Sequence, residues 1–168
     1  MSRAFVNEDN AAAQADQPVE RQVSTQPNYV TPEGLGLLQD KVAELQNLHA
    51  EQSALEDKAD KQRLADLERD LRYYHQRLQS AQVVPLATST EKVQIGSWVT
   101  YADEQGSEHR VQLVGEDQAD VAHGLINWGS PLGRALLGAQ RNDEVLWQRP
   151  AGDQLIEVIR IEPAYTTP

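Results

Sequence analysis

Cysteine is absent, aromatic residues number only nine in 168, and lysine plus arginine are outnumbered 15 to 26 by aspartate plus glutamate. Each shortage excludes something. Without cysteine there is no disulfide framework, no thiolate metal site and no thiol nucleophile, and a reducing compartment is the simplest fit. Nine aromatic rings are too few to fill a core spread over the whole length. A net charge of -11 gives the chain no uniform attraction for a phosphate backbone, so autonomous, salt-driven binding to DNA or RNA is not expected. Long apolar runs are also missing, and the beginning, MSRAFVNEDN, has no basic region followed by an apolar stretch. The expectation is a soluble, cytoplasmic protein with no membrane segment.

What is present divides into parts of different kind. Residues 1–29 hold two Arg and four acids among Ala, Gln, Asn and Pro, without an apolar period of 2 or 3.6. Burying too little to offset the roughly 1–2 kcal/mol per residue of backbone ordering, this segment reads as a disordered tail, either a solubilising leader or a short docking peptide around Phe5 and Val6. Thr31-Pro32-Glu33 then supplies a helix start: a capping hydroxyl, a proline suited to the first position and an acid at the positive end of the dipole. Leu35, Leu38, Val42 and Leu45 make one apolar stripe; Leu64, Leu67, Leu71, Tyr74, Leu78 and Ala81 make a cleaner heptad seam.

Between the stripes, residues 53–60 lose phase without a Gly or Pro. One reading is a single long helix that dimerises. The other is an antiparallel hairpin over 30–84, favoured because arms of nearly equal length let each seam find its partner in the same chain, as a monomer. At about 1.5 Å per residue such arms reach roughly 35 Å.

Pro85 ends the second helix, residues 85–94 read as a linker, and 95–165 as a small α+β domain. Alternation around Trp98–Thr100 and Val111–Leu113 predicts two strands joined across Asp103–Gly106; a second hairpin is expected from Val145–Gln148 and Leu155–Ile161. All three Trp residues lie in this half, which makes it the better candidate for a packed core. Ser130–Gly138 has a complete short-helix grammar: Ser130 caps, Pro131 takes the first turn, Leu132, Leu136 and Leu137 turn inward, Arg134 projects outward, and Gly138 permits a left-handed stop.

Catalytic patterns are missing. Gly129-Ser130-Pro131-Leu132-Gly133 is spaced G-S-x-x-G rather than as a nucleophile elbow, and His49, His75, His109 and His123 are scattered. An independent enzyme is not expected, nor a metal site or cofactor of the chain's own. One acidic cluster remains, Glu56, Asp57 and Asp60 at the hairpin's far end; carboxylates so spaced can share a face and help hold a divalent cation in a confined site. The plainer reading is a solvated turn, partly neutralised by Lys58 and Lys61.

The order of parts, together with Ser130-Pro131-Leu132-Gly133-Arg134-Ala135-Leu136-Leu137-Gly138, resembles the bacterial Gre transcription elongation factors, GreA and GreB. Gly96-Ser97-Trp98-Val99-Thr100, Val114-Gly115-Glu116-Asp117-Gln118-Ala119-Asp120, Ser80-Ala81-Gln82-Val83-Val84 and Thr31-Pro32-Glu33-Gly34 carry it further, over roughly Tyr29 to Tyr165. The resemblance implies an FKBP-like C-terminal domain that docks on the rim of the RNA polymerase secondary channel. Its docking surface would correspond to Ser130, Pro131, Leu132 and Arg134, with the coiled coil pointing toward the active centre and nucleic acid met only through the polymerase. An FKBP-like fold does not imply prolyl isomerase activity.

In the family, an Asp and a Glu at the hairpin tip help the polymerase bind a second magnesium ion and cleave backtracked RNA. Counted back without gaps from Ala81-Gln82-Val83-Val84, those acids fall here on Ala50 and Ser53, which cannot hold a metal. A shorter first helix, shared between two arms, moves the tip to near Glu56 and Asp60 and removes about two turns from each arm, roughly 11 Å of reach. The expectation is a factor that modulates elongation without full cleavage stimulation. Two alternatives stand beside it: a true cleavage factor using Glu56, Asp57 or Asp60 on magnesium shared with the polymerase, and a coiled-coil module unrelated to transcription.

Overall fold

The computed structural model describes residues 19–165 and is α+β. The elements are β1 (Tyr29–Val30), α1 (Pro32–Ser53), α2 (Lys61–Ser80), β2 (Gln82–Val83), β3 (Trp98–Ala102), β4 (Glu108–Val114), β5 (Leu125–Asn127), α3 (Pro131–Leu136), β6 (Glu144–Trp147) and β7 (Gln154–Glu162). They group into two compact units: one is Asp40–Gln79 with the segment up to Ser24, the other is Thr25–Gln39 with the chain from Ser80 onward.

In the first unit the two helices run antiparallel. Lys41 lies 6.0 Å from the Tyr74 ring centroid and His49 Nε2 3.1 Å from Glu68 Oε1, so partners descend along α2 as residues ascend along α1. The hairpin reading holds: Val42, Leu45 and Leu67 are buried and the other seam positions of α2 are half-buried. The reversal needs neither Gly nor Pro. It uses a 3-10 turn over Glu56–Lys58, a left-handed Glu56 (φ 49°), and Gln52, whose Oε1 accepts from Asp60 N at 2.9 Å.

Of the expected tail, residues 1–18, with Phe5 and Val6, lie outside the described residues. Residues 19–28 have no regular secondary structure, and Tyr29–Val30 forms a short parallel pair with Gln82–Val83.

In the second unit the start of α1 is seated as its sequence dictates. Thr31 Oγ1 accepts from Gly34 N at 2.9 Å and donates to Gln118 Oε1 at 2.6 Å, satisfying one of the orphan amide donors of the first turn. The five-stranded sheet has the order β5-β4-β3-β7-β6. Both expected hairpins are present, and every pair is antiparallel except β4 with β5. That parallel pair escapes sequence reading because a three-residue strand shows no usable alternation. Residues 85–94 are part of this unit too: Ala87 and Val93 are buried, Val93 N donates to Ala139 O at 2.9 Å, and Ala164 N to Ala87 O at 2.9 Å.

The core is aliphatic around one ring, with Val93, Val99, Leu113, Leu136, Ile156 and Val158 almost fully enclosed and Tyr101 beside them. The three Trp residues sit at its margin. Trp98 lies under the Arg110 guanidinium at 4.1 Å, Trp147 under that of Arg149 at 5.1 Å, and Trp128 meets Tyr29 at 5.3 Å. Large rings with a polar N–H pack well half-buried, and guanidinium faces add to that contact.

The β3–β4 turn is organised by Asp103. One carboxylate oxygen accepts from Gln105 N at 3.0 Å and Ser107 N at 2.9 Å, and the other faces His109 Nε2 at 2.9 Å. The hydrogen bond from His109, and then those backbone donors, hold the Asp103 carboxyl below its ordinary range. A carboxyl lowered in the folded state contributes stability that is complete above the ordinary carboxyl range and is lost as pH falls toward the folded value. In urea unfolding followed from neutral to acid pH, Asp103→Asn is expected to flatten the acid limb relative to wild type; an unchanged limb would show that the bond has no role in stability.

Candidate functional site

The Ser130 helix is built by local rules. Ser130 Oγ accepts from Gly133 N at 3.1 Å and donates to Asn127 O at 2.7 Å, so one hydroxyl caps α3 and ties it to the end of β5. Pro131 occupies the first turn. Leu132 and Leu136 are buried and Arg134 is exposed, as their spacing predicts. Leu137 does not turn inward: α3 stops at Leu136, Leu137 leaves it with ψ 124°, and its side chain is exposed. Gly138 follows at φ 82°, the left-handed stop.

Gly133 decides how closely this helix sits. A Cβ there would lie 2.3 Å from Asn127 O and 2.6 Å from Trp128 O, so only glycine lets α3 rest on that backbone.

Beside α3 a groove of about 610 Å³ opens, lined among others by Tyr101, Ile126, Pro131, Leu132, Trp147 and Pro150. Pro131 also lines an adjoining depression of about 320 Å³ with Arg134 and Leu146. Tyr101 is the groove's most enclosed ring. It stacks on His109 at 5.1 Å and meets the edge of Trp147 at 6.4 Å, and burial pushes its hydroxyl pKa up. The structure therefore brings three of the expected docking residues, Ser130, Pro131 and Leu132, to one wall, with Arg134 on the neighbouring depression. Sequence reading missed Tyr101 and Trp147. The signal for Tyr101 was its alternation with Val99, which puts both on the buried face of β3; Trp147 reaches the groove only through the strand order.

The tip acids are arranged differently. Asp60 Oδ1 accepts from Arg63 N at 3.1 Å, capping α2, while Glu56 and Asp57 lie exposed in the 3-10 turn. Among the described residues no group of three or more His, Cys, Asp or Glu is placed to hold a metal ion. Nor is any helix among them long and apolar enough to cross a membrane.

A profile for the transcription elongation factor GreA/GreB C-terminal domain matches residues 88–163, which contain the sheet, the groove and α3. The chain is 33% identical over 149 residues to transcription elongation factor GreB of Pseudomonas aeruginosa, a match spanning 79% of this chain and 89% of that protein. This chain belongs to the Gre family. GreB of Neisseria meningitidis serogroup B is 32% identical over 152 residues, spanning 80% of this chain and 93% of its own length. Sphingopyxis alaskensis GreA is 36% identical over 105 residues, 62% and 66% of the two chains. This Gre factor is thus a transcription elongation factor in which the hairpin and the C-terminal domain are both present.

The tight seating of α3 is testable. Gly133→Ala should destabilise the protein by about 2–3 kcal/mol through overpacking against backbone, against about 1 kcal/mol for Ser130→Ala through loss of the cap. Urea midpoints for the two variants check the order; equal or reversed effects would mean that the close approach is not a constraint.

Proposed function

We propose that this Gre factor binds RNA polymerase at the secondary channel through the α3 wall of its groove and modulates elongation without full stimulation of transcript cleavage. The observation that carries the reading is the convergence of Pro131 and Leu132 with Trp147 and Pro150 on one largely apolar groove, flanked by the exposed Arg134. Apolar docking suits a chain of net charge -11, since affinity then comes from excluded water rather than from attraction to phosphate. Nucleic acid is met only through the polymerase, in the cytoplasm, and the protein acts as a monomer with its hairpin closed on itself.

The tip supports the absence of full cleavage stimulation. Helical arms of 22 and 20 residues reach only about 30–33 Å. At their end Asp60 is engaged as a cap and the remaining acids are exposed. A magnesium ion shared with the polymerase active site would need carboxylates held in a confined site, where solvent does not screen them.

Two measurements test this. Retention on immobilised core polymerase should fall at least about tenfold for the Pro131→Glu, Arg134→Glu double variant, whose substitutions are at exposed positions; undiminished retention would exclude α3 as the docking wall. In stalled elongation complexes the wild-type protein should shorten RNA weakly, with no change in a Glu56→Ala, Asp57→Ala, Asp60→Ala variant. Strong shortening abolished by that variant would instead make it a cleavage factor acting through its tip acids.

A further inference from the structure

Ahead of β1, Glu20 and Arg21 are drawn onto α2. The Arg21 guanidinium lies 3.9 Å over the centroid of Tyr73 and 5.0 Å from that of Tyr74, with its Nη1 3.5 Å from Asp70 Oδ1. The Glu20 carboxylate accepts from Arg72 Nε at 3.0 and 3.2 Å and from Arg72 Nη2 as well. Glu20 meets Arg72, and Arg21 meets Asp70 and the Tyr73–Tyr74 pair, so opposite charges and one aromatic seat place the two residues on the stretch 70–74 of α2.

Burial points the same way. Tyr73 lies off the Leu64, Leu67, Leu71, Tyr74, Leu78 seam, yet it is only 8% exposed, with the Arg21 guanidinium over its ring. Tyr73 and Tyr74 meet edge to face at 5.0 Å, so together they offer Arg21 one continuous aromatic seat. The residues on either side of the pair, Val19 and Gln22, are exposed.

We propose that Glu20 and Arg21 form a salt-weakened strap that fastens the chain ahead of β1 to the middle of α2. Its ion pairs are exposed and screened by salt, while the stacking of Arg21 on Tyr73 depends on an aromatic face and is less so. The strap is therefore closed at low ionic strength and weakened, though not abolished, as salt rises.

The absence of cysteine makes the test direct, because a nitroxide on Gln22→Cys in the full chain is the only labelled site. At low salt the spectrum should be dominated by an immobilised component. Arg21→Ala should raise the mobile fraction about fivefold, concentrated salt should raise it less, and Arg72→Glu should raise it until Glu20→Lys is added, which restores immobilisation. Helical circular dichroism is followed in parallel. Arg21 lies outside both helices, so its variant reads the strap even if Arg72→Glu weakens α2. A wild-type label as mobile as that in Arg21→Ala, or a charge exchange that restores nothing, would overturn the proposal.

Discussion

The C-terminal unit depends on the contact between Gly133 and the backbone of Asn127 and Trp128. With no side chain in the way, α3 settles directly on the end of β5, and Ser130 closes the joint by capping the helix and binding Asn127 O with the same hydroxyl. Everything that makes the groove follows from that placement. Leu136 reaches the aliphatic core, Pro131 and Leu132 form one wall, and the wall faces Tyr101 and Trp147 from the sheet. A helix of six residues would not hold its place by propensity, since helices so short are unstable alone. Its position is a packing result.

Charge acts on a different scale. The ion pairs involve exposed or partly exposed side chains, so each contributes little to stability. Charged side chains act instead on local geometry: Asp103 organises the β3–β4 turn, Asp60 caps α2, and Glu20 with Arg72 and Arg21 with Asp70 hold the chain ahead of β1 against α2. The acidic excess lies mostly outside the hairpin, which carries -2 over residues 34–84 against -6 over 85–168.

Much of the architecture was legible in the chain. Thr31 and Ser130 announced two helix starts, the Leu64 to Ala81 seam announced a partner helix, and Asp103–Gly106 announced a turn, because caps, heptads and turns act between residues a few positions apart. The docking candidates Ser130, Pro131, Leu132 and Arg134 came instead from the resemblance to the Gre factors. Local pattern does not encode the contacts between distant segments: the parallel β4–β5 pair, the integration of residues 85–94, and the Arg21 seat on Tyr73 and Tyr74. Nor does it encode the margin positions of the Trp residues, since composition predicts that rings are buried but not how far.

By itself, then, the sequence determined the order of parts, the absence of thiol chemistry and the starts of the Thr31 and Ser130 helices, which are properties of local pattern and composition, while its motifs carry the resemblance to the family. Only the tertiary structure decided that Tyr101 and Trp147 join Pro131 and Leu132 in one groove, and that Asp60 serves as a cap at the tip. A groove exists where separate strands and a helix converge, and that convergence is set by sheet order and close packing, which no local pattern encodes.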